Sequence, residues 1–323
     1  MRVSVGTFNL NNLFSRFNFT ASIAETPESL AGGVKLTFAE GDVKLRTFLG
    51  RLVKAKDPEE TAEVARRVRE MDLDVLAVQE VEHIGVLRDF NRDWLGGLYP
   101  HAALLEGNDP RLIDVGLYSK LPLGAICSHQ TAAHADAPGE RVFGRDLMEV
   151  EIFSPDGRDR LFTLYNTHMK SHFVPFHEDP AEGAARANAR RRRQAEVTAA
   201  IIARRERSNG RFVLLGDMND PPDSPHLAPM LNPEGRPLVN ALAGAVETRP
   251  PKPETQGPGP LSPLWTHRWN PPGRDTPPEH HLYDQIWVSD ALADRVASAH
   301  IDRRTKHGGD GSDHDPAWIV LDL

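Results

Sequence analysis

Two short segments of the sequence place carboxylates beside amide or imidazole side chains at the edge of an apolar run. Residues 216–220 read Gly-Asp-Met-Asn-Asp, and residues 311–316 read Gly-Ser-Asp-His-Asp-Pro. Carboxylate oxygens bind hard divalent cations such as Mg²⁺, and a histidine can transfer a proton or contact a phosphate oxygen. These residue types are the ones that metal-assisted cleavage of a phosphate ester requires.

The elements that must position such residues are short apolar strands. Runs rich in Val, Leu, Ile and Phe predict buried strands at residues 3–10, 75–79, 115–119, 147–153, 161–169, 212–215, 285–289 and 317–321. Helical spacing of apolar residues predicts a helix at 59–71, and an Ala- and Arg-rich stretch predicts another at 182–207. A further helix is expected near 44–53.

Polar residues recur at the ends of these predicted strands. Asn9 is expected to end the first strand, Glu80 follows the second, and His168 comes late in the fifth. The other strand-end residues are Asp217, Asn219, Asp284, Asp313 and His314. Because loops at strand ends bring polar groups together above a rigid core, we expect these residues to share one site.

Composition limits the classes of protein that this chain can be. The formal net charge is −8 and the pI is about 6.0, whereas proteins that coat duplex nucleic acid non-specifically are usually basic. Contact with nucleic acid is therefore expected to be local, or the substrate small. Cys127 is the only cysteine, which excludes an intrachain disulfide and a cysteine-based zinc site. No leader pattern or membrane-spanning run appears, which predicts a cytoplasmic protein, and the sequence indicates no protein partner.

Two stretches of the chain resist a full assignment. Residues 15–56 form an insertion after the first strand, and residues 221–278 hold 16 of the 26 prolines. Proline interrupts helices and strands, so any elements in the second stretch are expected to be short. The strand-end residues span the whole chain without a clear linker. We therefore predict one domain over residues 1–323, with insertions at about 15–56 and 221–278.

Six segments, taken in order along the chain, resemble the motifs of a known family. They are residues 7–14 (Thr-Phe-Asn-Leu-Asn-Asn-Leu-Phe), 77–81 (Ala-Val-Gln-Glu-Val), 166–171 (Asn-Thr-His-Met-Lys-Ser), 216–219 (Gly-Asp-Met-Asn), 283–286 (Tyr-Asp-Gln-Ile) and 312–314 (Ser-Asp-His). Together they resemble the endonuclease/exonuclease/phosphatase superfamily, which contains DNase I-like nucleases, abasic-site endonucleases, neutral sphingomyelinases and inositol-polyphosphate 5-phosphatases. The resemblance implies an α/β (α+β) fold, a DNase I-like four-layer α/β/β/α sandwich of two mainly antiparallel sheets flanked by helices.

The resemblance also implies a metal site. Glu80 resembles the principal Mg²⁺ ligand, with Asn9 as a neutral oxygen ligand and Asp313 as a ligand of the metal or of its water. Mn²⁺ is the expected substitute cation. Since Mg²⁺ keeps several waters, a site with few protein ligands is expected.

The implied catalytic residues surround this metal site. His314 resembles the catalytic histidine of the family and Asp284 the carboxylate that orients it, which would fix the ring tautomer and raise its basicity. Asp217 would hold or deprotonate the attacking water, Asn219 would position water or a phosphate oxygen, and His168 matches a position that contacts the scissile phosphate. The implied reaction is in-line attack of water at phosphorus. Whether the proton leaves through Asp217 or through His314 stays open.

Position 11 departs from the family pattern. It is Asn11 where many relatives carry Asp or Glu, which removes one charge from the metal site and leaves the number of metals open. Asn11 is also a candidate substrate contact. The other candidates occupy positions where bacterial relatives often carry similar residues, and they are Arg111, Asp114, Arg145 and Lys170.

Two further charged features have simpler explanations than a binding site. Consecutive residues point around a helix, so the four arginines at 190–193 are expected on a solvated surface, with Arg186 or Arg190 reaching a phosphate as the alternative. The adjacent pair His280-His281 is expected in a loop rather than at a zinc ion.

The motif set as a whole predicts a Mg²⁺-dependent phosphodiester hydrolase, first of all a nuclease acting on DNA or RNA. The acidic net charge favours an alternative, a phosphomonoesterase or a small-molecule or lipid phosphodiesterase similar to inositol phosphatases or sphingomyelinases. A catalytically inactive binding protein with the same fold is the third hypothesis, and Asn11 is its only support.

Overall fold

The computed structural model describes residues 1–15, 56–175, 177–248, 264–269, 277–303 and 311–323. The helix expected near 44–53 and most of the insertion at 15–56 lie outside these ranges. Within them, no helix combines the length and the apolar character that crossing a membrane requires.

The strands of the described residues form two large sheets and two small hairpins. Sheet one contains β1 (Arg2–Leu13), β2 (Val75–Val81), β3 (His101–Leu104), β4 (Asp114–Ser119), β12 (Val246–Glu247), β16 (Val296–Ile301) and β17 (Ala317–Asp322). Sheet two contains β5 (Leu123–Ser128), β8 (Leu147–Phe153), β9 (Arg160–His168), β10 (Phe212–Asp217), β11 (Val239–Asn240) and β15 (Asp284–Val288). The hairpins pair β6 (Ala133–His134) with β7 (Ala137–Arg141), and β13 (His267–Trp269) with β14 (Glu279–His281).

Both large sheets are mixed, with mostly antiparallel neighbours. Sheet one has the order β12-β16-β17-β1-β2-β4-β3, in which β12–β16 and β1–β2 are the parallel pairs. Sheet two has the order β11-β15-β10-β9-β8-β5, in which β9–β10 is the parallel pair. The prediction of two mainly antiparallel sheets is confirmed.

The helices of the described residues are α1 (Pro58–Met71), α2 (Ile84–Asp93), α3 (Pro180–Arg205) and α4 (Asp290–Ala293), with a 3₁₀ turn at Pro233–Gly235. Side chains cap the two longest helices. Asp57 accepts a hydrogen bond from the Glu59 amide, and Asp179 accepts from the amides of Ala181 and Glu182. A proline at the first position of each helix fits this start, since its missing N–H has no partner there.

Alternating side chains place each sheet between two apolar layers. In β2, Val75 and Ala77 pack in the core between the two sheets, whereas Leu76 and Val78 pack against α1 and α2 on the outer face. In β10, Leu214 faces α3 on the outer face of sheet two. The resulting order is helices, sheet, sheet, helix, which confirms the four-layer α/β/β/α prediction.

Three local expectations differ from the structure. The first strand does not end at Asn9 but continues to Leu13, through an irregularity at which Asn11 and Asn12 adopt positive φ angles of 46° and 57°. The run at 190–193 is not wholly solvated, because Arg191 is fully buried and its guanidinium donates to Asp220 and to the Lys170 carbonyl. The pair His280-His281 belongs to β14 rather than to a loop.

Candidate active site

The two sheets contribute their ends to one cluster of polar side chains. In sheet two, the register places Asp217 of β10 beside His168 of β9 on one side and beside Asp284 of β15 on the other. Sheet one contributes Asn9 of β1, whose Nδ2 donates to Asp217 Oδ2 over 3.1 Å. The Asn9–Asp217 hydrogen bond therefore joins the two sheets inside the site.

A second buried polar contact ties the sheets together directly behind the site. Gln79 Nε2 donates to Asn166 Oδ1 at 2.8 Å, and Asn166 Nδ2 donates to the Val78 and Gly116 carbonyls of sheet one. Gln79 and Asn166 are fully buried, where an unpaired amide would be costly. Because Glu80 follows Gln79 and His168 lies two residues after Asn166, this contact sets the separation of both halves of the site.

Asp217 is the centre of the cluster. Its carboxylate accepts from Asn9 Nδ2 and from the Asn219 amide (2.9 Å), and its Oδ2 lies 3.3 Å from His168 Nε2. The positive φ of Asn219, 51°, turns the chain so that this amide points back at the carboxylate. Burial, together with the charge of Asp284, raises the pKa of Asp217 to about 6, against the lowering effect of His314.

His314 is held by Asp284. The His314 Nδ1 and Asp284 Oδ2 atoms are 2.6 Å apart, and the Asp284 amide donates to Thr266 Oγ1. His314 Nε2 points towards Asp217, whose Oδ2 lies 3.8 Å away. Burial on its own would lower the pKa of His314, but the carboxylates of Asp284 and Asp217 outweigh it and hold that pKa well above its ordinary value. The geometry favours an imidazolium with its Nε2 side facing the cluster.

His168 differs from His314 in its charge state. Burial and the positive charge of Arg145 lower the pKa of His168 well below its ordinary value, which keeps the ring neutral. Its Nδ1 atom is buried and has no hydrogen-bond partner among the described residues. A neutral histidine beside Asp217 can donate through Nε2 to that carboxylate or to a bound phosphate oxygen.

Glu80 sits at a break in the ladder of β2. It adopts a left-handed φ of 61°, and the register of β2 shifts at this residue against both β1 and β4. Such a conformation costs a non-glycine residue about 1–3 kcal/mol and points the side chain away from the regular alternation. The Asn12 amide donates to Glu80 Oε2 at 3.0 Å. Burial and the nearby charge of Asp313 raise the pKa of Glu80.

The oxygen atoms near Glu80 fit a hard divalent cation. Two carboxylates, those of Glu80 and Asp313, lie close enough for one to raise the pKa of the other, and Asn9 lies beside Glu80 as a neutral side chain. A cation between them would relieve this repulsion, and Mg²⁺ prefers such oxygen ligands. In addition, His267, Asp313 and His314 each bring one ligand atom to within 4.8 Å of the others. An imidazole ligand suits Zn²⁺ better than Mg²⁺, and His314 would have to lose the proton that Asp284 and Asp217 stabilise before it could bind a cation.

The predicted substrate contacts are placed at different distances from the cluster. Arg145 is buried and its Nη1 donates to the Met169 carbonyl, which also accepts from Asn219 Nδ2. Lys170 follows Met169 in the chain, and burial together with the positive charge of Arg145 lowers the pKa of Lys170 to about 8. Asn11 lies at the cluster, since its amide donates to Asn9 Oδ1.

Arg111 and Asp114 are the remaining predicted substrate contacts, and the positive charge of Arg111 contributes to the lowered pKa of His168 in the cluster. Arg111 is exposed and bonds Asp109 through its amide and guanidinium. Asp114 is buried, and its Oδ1 accepts from the Gly107 amide at 2.8 Å. Burial raises the pKa of Asp114 to about 7, which is typical of a carboxyl held inside the protein rather than at a substrate.

Sequence reasoning missed two residues at this site. The Lys56 side chain is buried beside the metal-ligand candidates, and its Nζ donates to the Asn11 carbonyl at 2.7 Å. It is 45 residues from Asn11 along the chain, at the end of the insertion, so no local pattern could reveal it. His267 comes from the proline-rich stretch, and its ring lies 4.7 Å from that of His314. The residues 264–269 carry it into the site by a β-bridge to His314.

Comparison with solved structures shows the same fold in other proteins. An endonuclease/exonuclease/phosphatase from Bacteroides vulgatus aligns with a TM-score of 0.58 at 16% identity, over 100% of this chain and 99% of that chain. An AP endonuclease from Archaeoglobus fulgidus aligns with a TM-score of 0.54 at 15% identity, over 99% and 100%. A mannosyl-6-phosphatase from Bacteroides thetaiotaomicron aligns with a TM-score of 0.52 at 15% identity, over 99% of each chain. At these identities the likeness is one of fold alone.

Comparison of the sequence gives the family. No curated protein matches the chain. The model described as Endonuclease/Exonuclease/phosphatase family matches residues 6–314, a span that runs from β1 to His314 and contains every strand-end residue of the cluster. The chain therefore belongs to the endonuclease/exonuclease/phosphatase family, whose members are hydrolases that act on phosphoester bonds.

Proposed function

We propose that the protein is a metal-dependent phosphodiesterase that acts on nucleic acid. One observation carries the proposal: the buried Asp217 carboxylate contacts Asn9, His168 and the Asn219 amide, with His314 Nε2 at 3.8 Å. A carboxylate held by neutral donors at the floor of a polar cluster can accept a proton from a bound water. Structural needs alone would not bring these groups from four separate segments to one point.

The reaction assigned to this site is in-line attack of water at phosphorus. Asp217 accepts the proton of the attacking water, Asn219 and neutral His168 hold water or a phosphate oxygen, and the P–O bond to the leaving group breaks opposite the water. His314 is flanked by Asp284 and Asp217, so as an imidazolium it donates to a phosphate oxygen that gains charge. A divalent cation held by Glu80 and Asp313, with Asn9, would supply neutralising charge at the same phosphate.

Hydrolysis of bis(p-nitrophenyl) phosphate and of a labelled oligonucleotide tests the proposal. Activity is expected with Mg²⁺ and also with Mn²⁺ as the substitute cation, and no activity is expected in EDTA. Asp217→Ala and His314→Ala are each expected to lower the rate by about 10³-fold or more. Two matched controls lie away from the cluster. Asp290→Ala is at the start of α4, just after β15, whose opposite end carries Asp284. His101→Ala is in β3 and pairs with Ser119, at the end of β4 that is far from Glu80. Wild-type rates from both active-site variants would refute the assigned roles.

A second candidate is a phosphomonoesterase or a diesterase of small molecules or lipids. The net charge of −8 favours it, because an acidic protein repels a long polyanion unless a local surface is positive. A panel of nucleic acid, sphingomyelin, inositol phosphates and sugar phosphates separates the two. Turnover of a monoester or of sphingomyelin at a far higher kcat/KM than any oligonucleotide would replace the nuclease assignment.

A further inference from the structure

A cavity of about 880 Å³ opens beside the candidate active site. We call it the basic groove, and it lies between residues 108–111, the β6–β7 hairpin and the first half of α3. Among the described residues, seven cationic side chains and three carboxylates line it. On a chain whose net charge is −8, such a local excess of positive charge is a departure that the fold does not require.

One face of α3 supplies much of this charge. Arg186, Arg190 and Arg193 follow each other at helical spacings of four and three residues, so they share one face, and all three line the groove. Arg186 is paired with Glu178. Arg190 and Arg193 form no hydrogen bond or ion pair with any residue that the structure describes. Arg190 Nη2 lies next to Gly144, where a Cβ added to the glycine would be 3.7 Å from it.

Phe173 gives the groove an aromatic surface. Its side chain is 66% exposed, which is unusual for a large apolar residue, and it lines the cavity. The Lys170 ammonium donates to the Phe173 carbonyl at 3.0 Å and to the Ser171 carbonyl at 2.8 Å, which holds this segment in place. An exposed aromatic ring beside a positive surface is the arrangement on which single-stranded bases stack.

The groove borders the candidate active site through Arg145 and Lys170. Arg145 lines the groove, and its Nη1 donates to the Met169 carbonyl, while the Met169 amide donates to the Asp217 carbonyl at 2.9 Å. Lys170, which also lines the groove, follows directly. Burial and the charges of Arg145, Arg191, Arg111 and Arg190 lower the pKa of Lys170 to about 8, so it remains mostly protonated at neutral pH. Through Met169, a residue that lines the groove is thus two hydrogen bonds from the Asp217 backbone, and a strand that spans the groove and the site would depend on this adjacency.

We infer that the basic groove binds the strand of a single-stranded nucleic acid next to the scissile phosphate, with a flanking phosphate at Arg190 and Arg193 and a base on Phe173. This inference rests on the proposed function for its scissile phosphate. The stacking surface favours a nucleotide over a polyphosphorylated sugar, which could satisfy the two arginines but not the ring.

Binding measured without turnover tests the inference. The probe is a fluorescein-labelled oligothymidylate of about ten nucleotides, followed by anisotropy in EDTA with the full chain. The double variant Arg190→Ala/Arg193→Ala is expected to raise Kd about tenfold or more at ~0.1 M salt. It is also expected to lower the slope of log K against log salt by about 0.7, since the two arginines neutralise one phosphate and each neutralised phosphate of a single strand contributes about 0.7. Phe173→Ala is expected to raise Kd about tenfold, whereas Phe173→Trp keeps wild-type affinity.

The control carries the same change of charge on the same helix. Arg192 and Arg204 are exposed residues of α3 that do not line the groove, so Arg192→Ala/Arg204→Ala is expected to change Kd and the salt slope by far less. Thermal melts of each variant show that the fold is kept. Equal effects of the two double variants, or no effect of the first, would overturn the groove assignment.

Two further readouts separate the groove from the proposed function. Hydrolysis of bis(p-nitrophenyl) phosphate by the wild-type protein tests the chemistry alone, since this diester has no flanking phosphate. If hydrolysis fails while oligothymidylate binding depends on Arg190, Arg193 and Phe173, the groove stands and the chemistry falls. Inositol hexakisphosphate is the second probe: if it binds more tightly than the oligothymidylate and Phe173→Ala weakens neither ligand, the nucleic-acid assignment is wrong.

Discussion

Replacement of Asp284 by asparagine isolates the contribution of one buried charge to stability and to chemistry. Asp284 is fully buried, and its Oδ2 lies 2.6 Å from Nδ1 of His314, which is nearly as buried. Removing one partner of a buried ion pair costs about 3–5 kcal/mol because the other charge is left without compensation. For a chain of this length, that corresponds to a fall in Tm of roughly 5–10 °C.

The pH dependence of this cost has a defined sign. The pKa of His314 in the folded protein lies well above its ordinary value, so the pair contributes stability that is fully present below about pH 6.5. That contribution is lost as the pH rises through the raised pKa. The difference in unfolding free energy between wild type and Asp284→Asn is therefore expected to be largest at pH 6 and to shrink towards pH 9.

Urea unfolding at several pH values measures this difference, and proton NMR of the histidine rings follows the titration of His314 directly. Asp284→Asn is also expected to lower hydrolysis of bis(p-nitrophenyl) phosphate by about 10²–10⁴-fold, since the ring loses its orienting partner. Asp290→Asn provides the control, as an exposed residue beyond the other end of β15. A destabilisation that is the same at pH 6 and pH 9, or no larger than that of the control, would show that the pair is not ionic.

Three other changes have expected outcomes. A Cβ on Gly216 would lie 1.9 Å from the Thr167 carbonyl oxygen, at a φ of +131°. Gly216→Ala should therefore lower the free energy of unfolding by more than about 4 kcal/mol in a urea titration. The control is Gly96→Ala, also at positive φ but with no atom within 4 Å of the new Cβ, which should cost about 1 kcal/mol. Asp114 has a pKa of about 7 in the folded protein, above its unfolded value near 3.9. Because the folded state binds more protons between these two pH values, stability should fall as the pH rises from about 4 to about 7. Asp114→Asn should flatten this dependence of Tm on pH. Glu80→Gln should weaken Mg²⁺ binding in calorimetry by about tenfold or more, and an unchanged affinity would move the metal ligands elsewhere.

The strands and the order of the site residues could be predicted because they depend on local pattern. Buried strands in a layered protein are short apolar runs, and the run at 212–215 corresponds to a strand that continues only to Asp217. Polar residues that close such runs must face a loop region. Hence Asp217, His168 and Asp284 could be expected near one another before any coordinates, and the register of three adjacent strands brings them side by side.

Long-range geometry set the limit of sequence reasoning. The left-handed conformation of Glu80 depends on a register shift against two neighbouring strands, and no residue near it signals this. The buried ammonium of Lys56 and the ring of His267 reach the site from stretches that proline content or length left unassigned. Arg191 was expected at a solvated surface, but its partner Asp220 lies 29 residues away. Burial of a charge depends on a partner that only the tertiary fold supplies.

The hydrogen bond between Gln79 and Asn166 has a consequence for substitutions far from the chemistry. The proposed cation ligands Asn9 and Glu80 stand on sheet one and the proposed proton acceptor Asp217 stands on sheet two, so the proposed catalysis would depend on the spacing between the two sheets. A larger side chain at Ala77 or Val213, in the core between the sheets, would increase the distance between the two sheets by fractions of an ångström. Since reacting atoms tolerate little misplacement, such core variants should lose catalytic rate while their melting temperature stays close to that of the wild type.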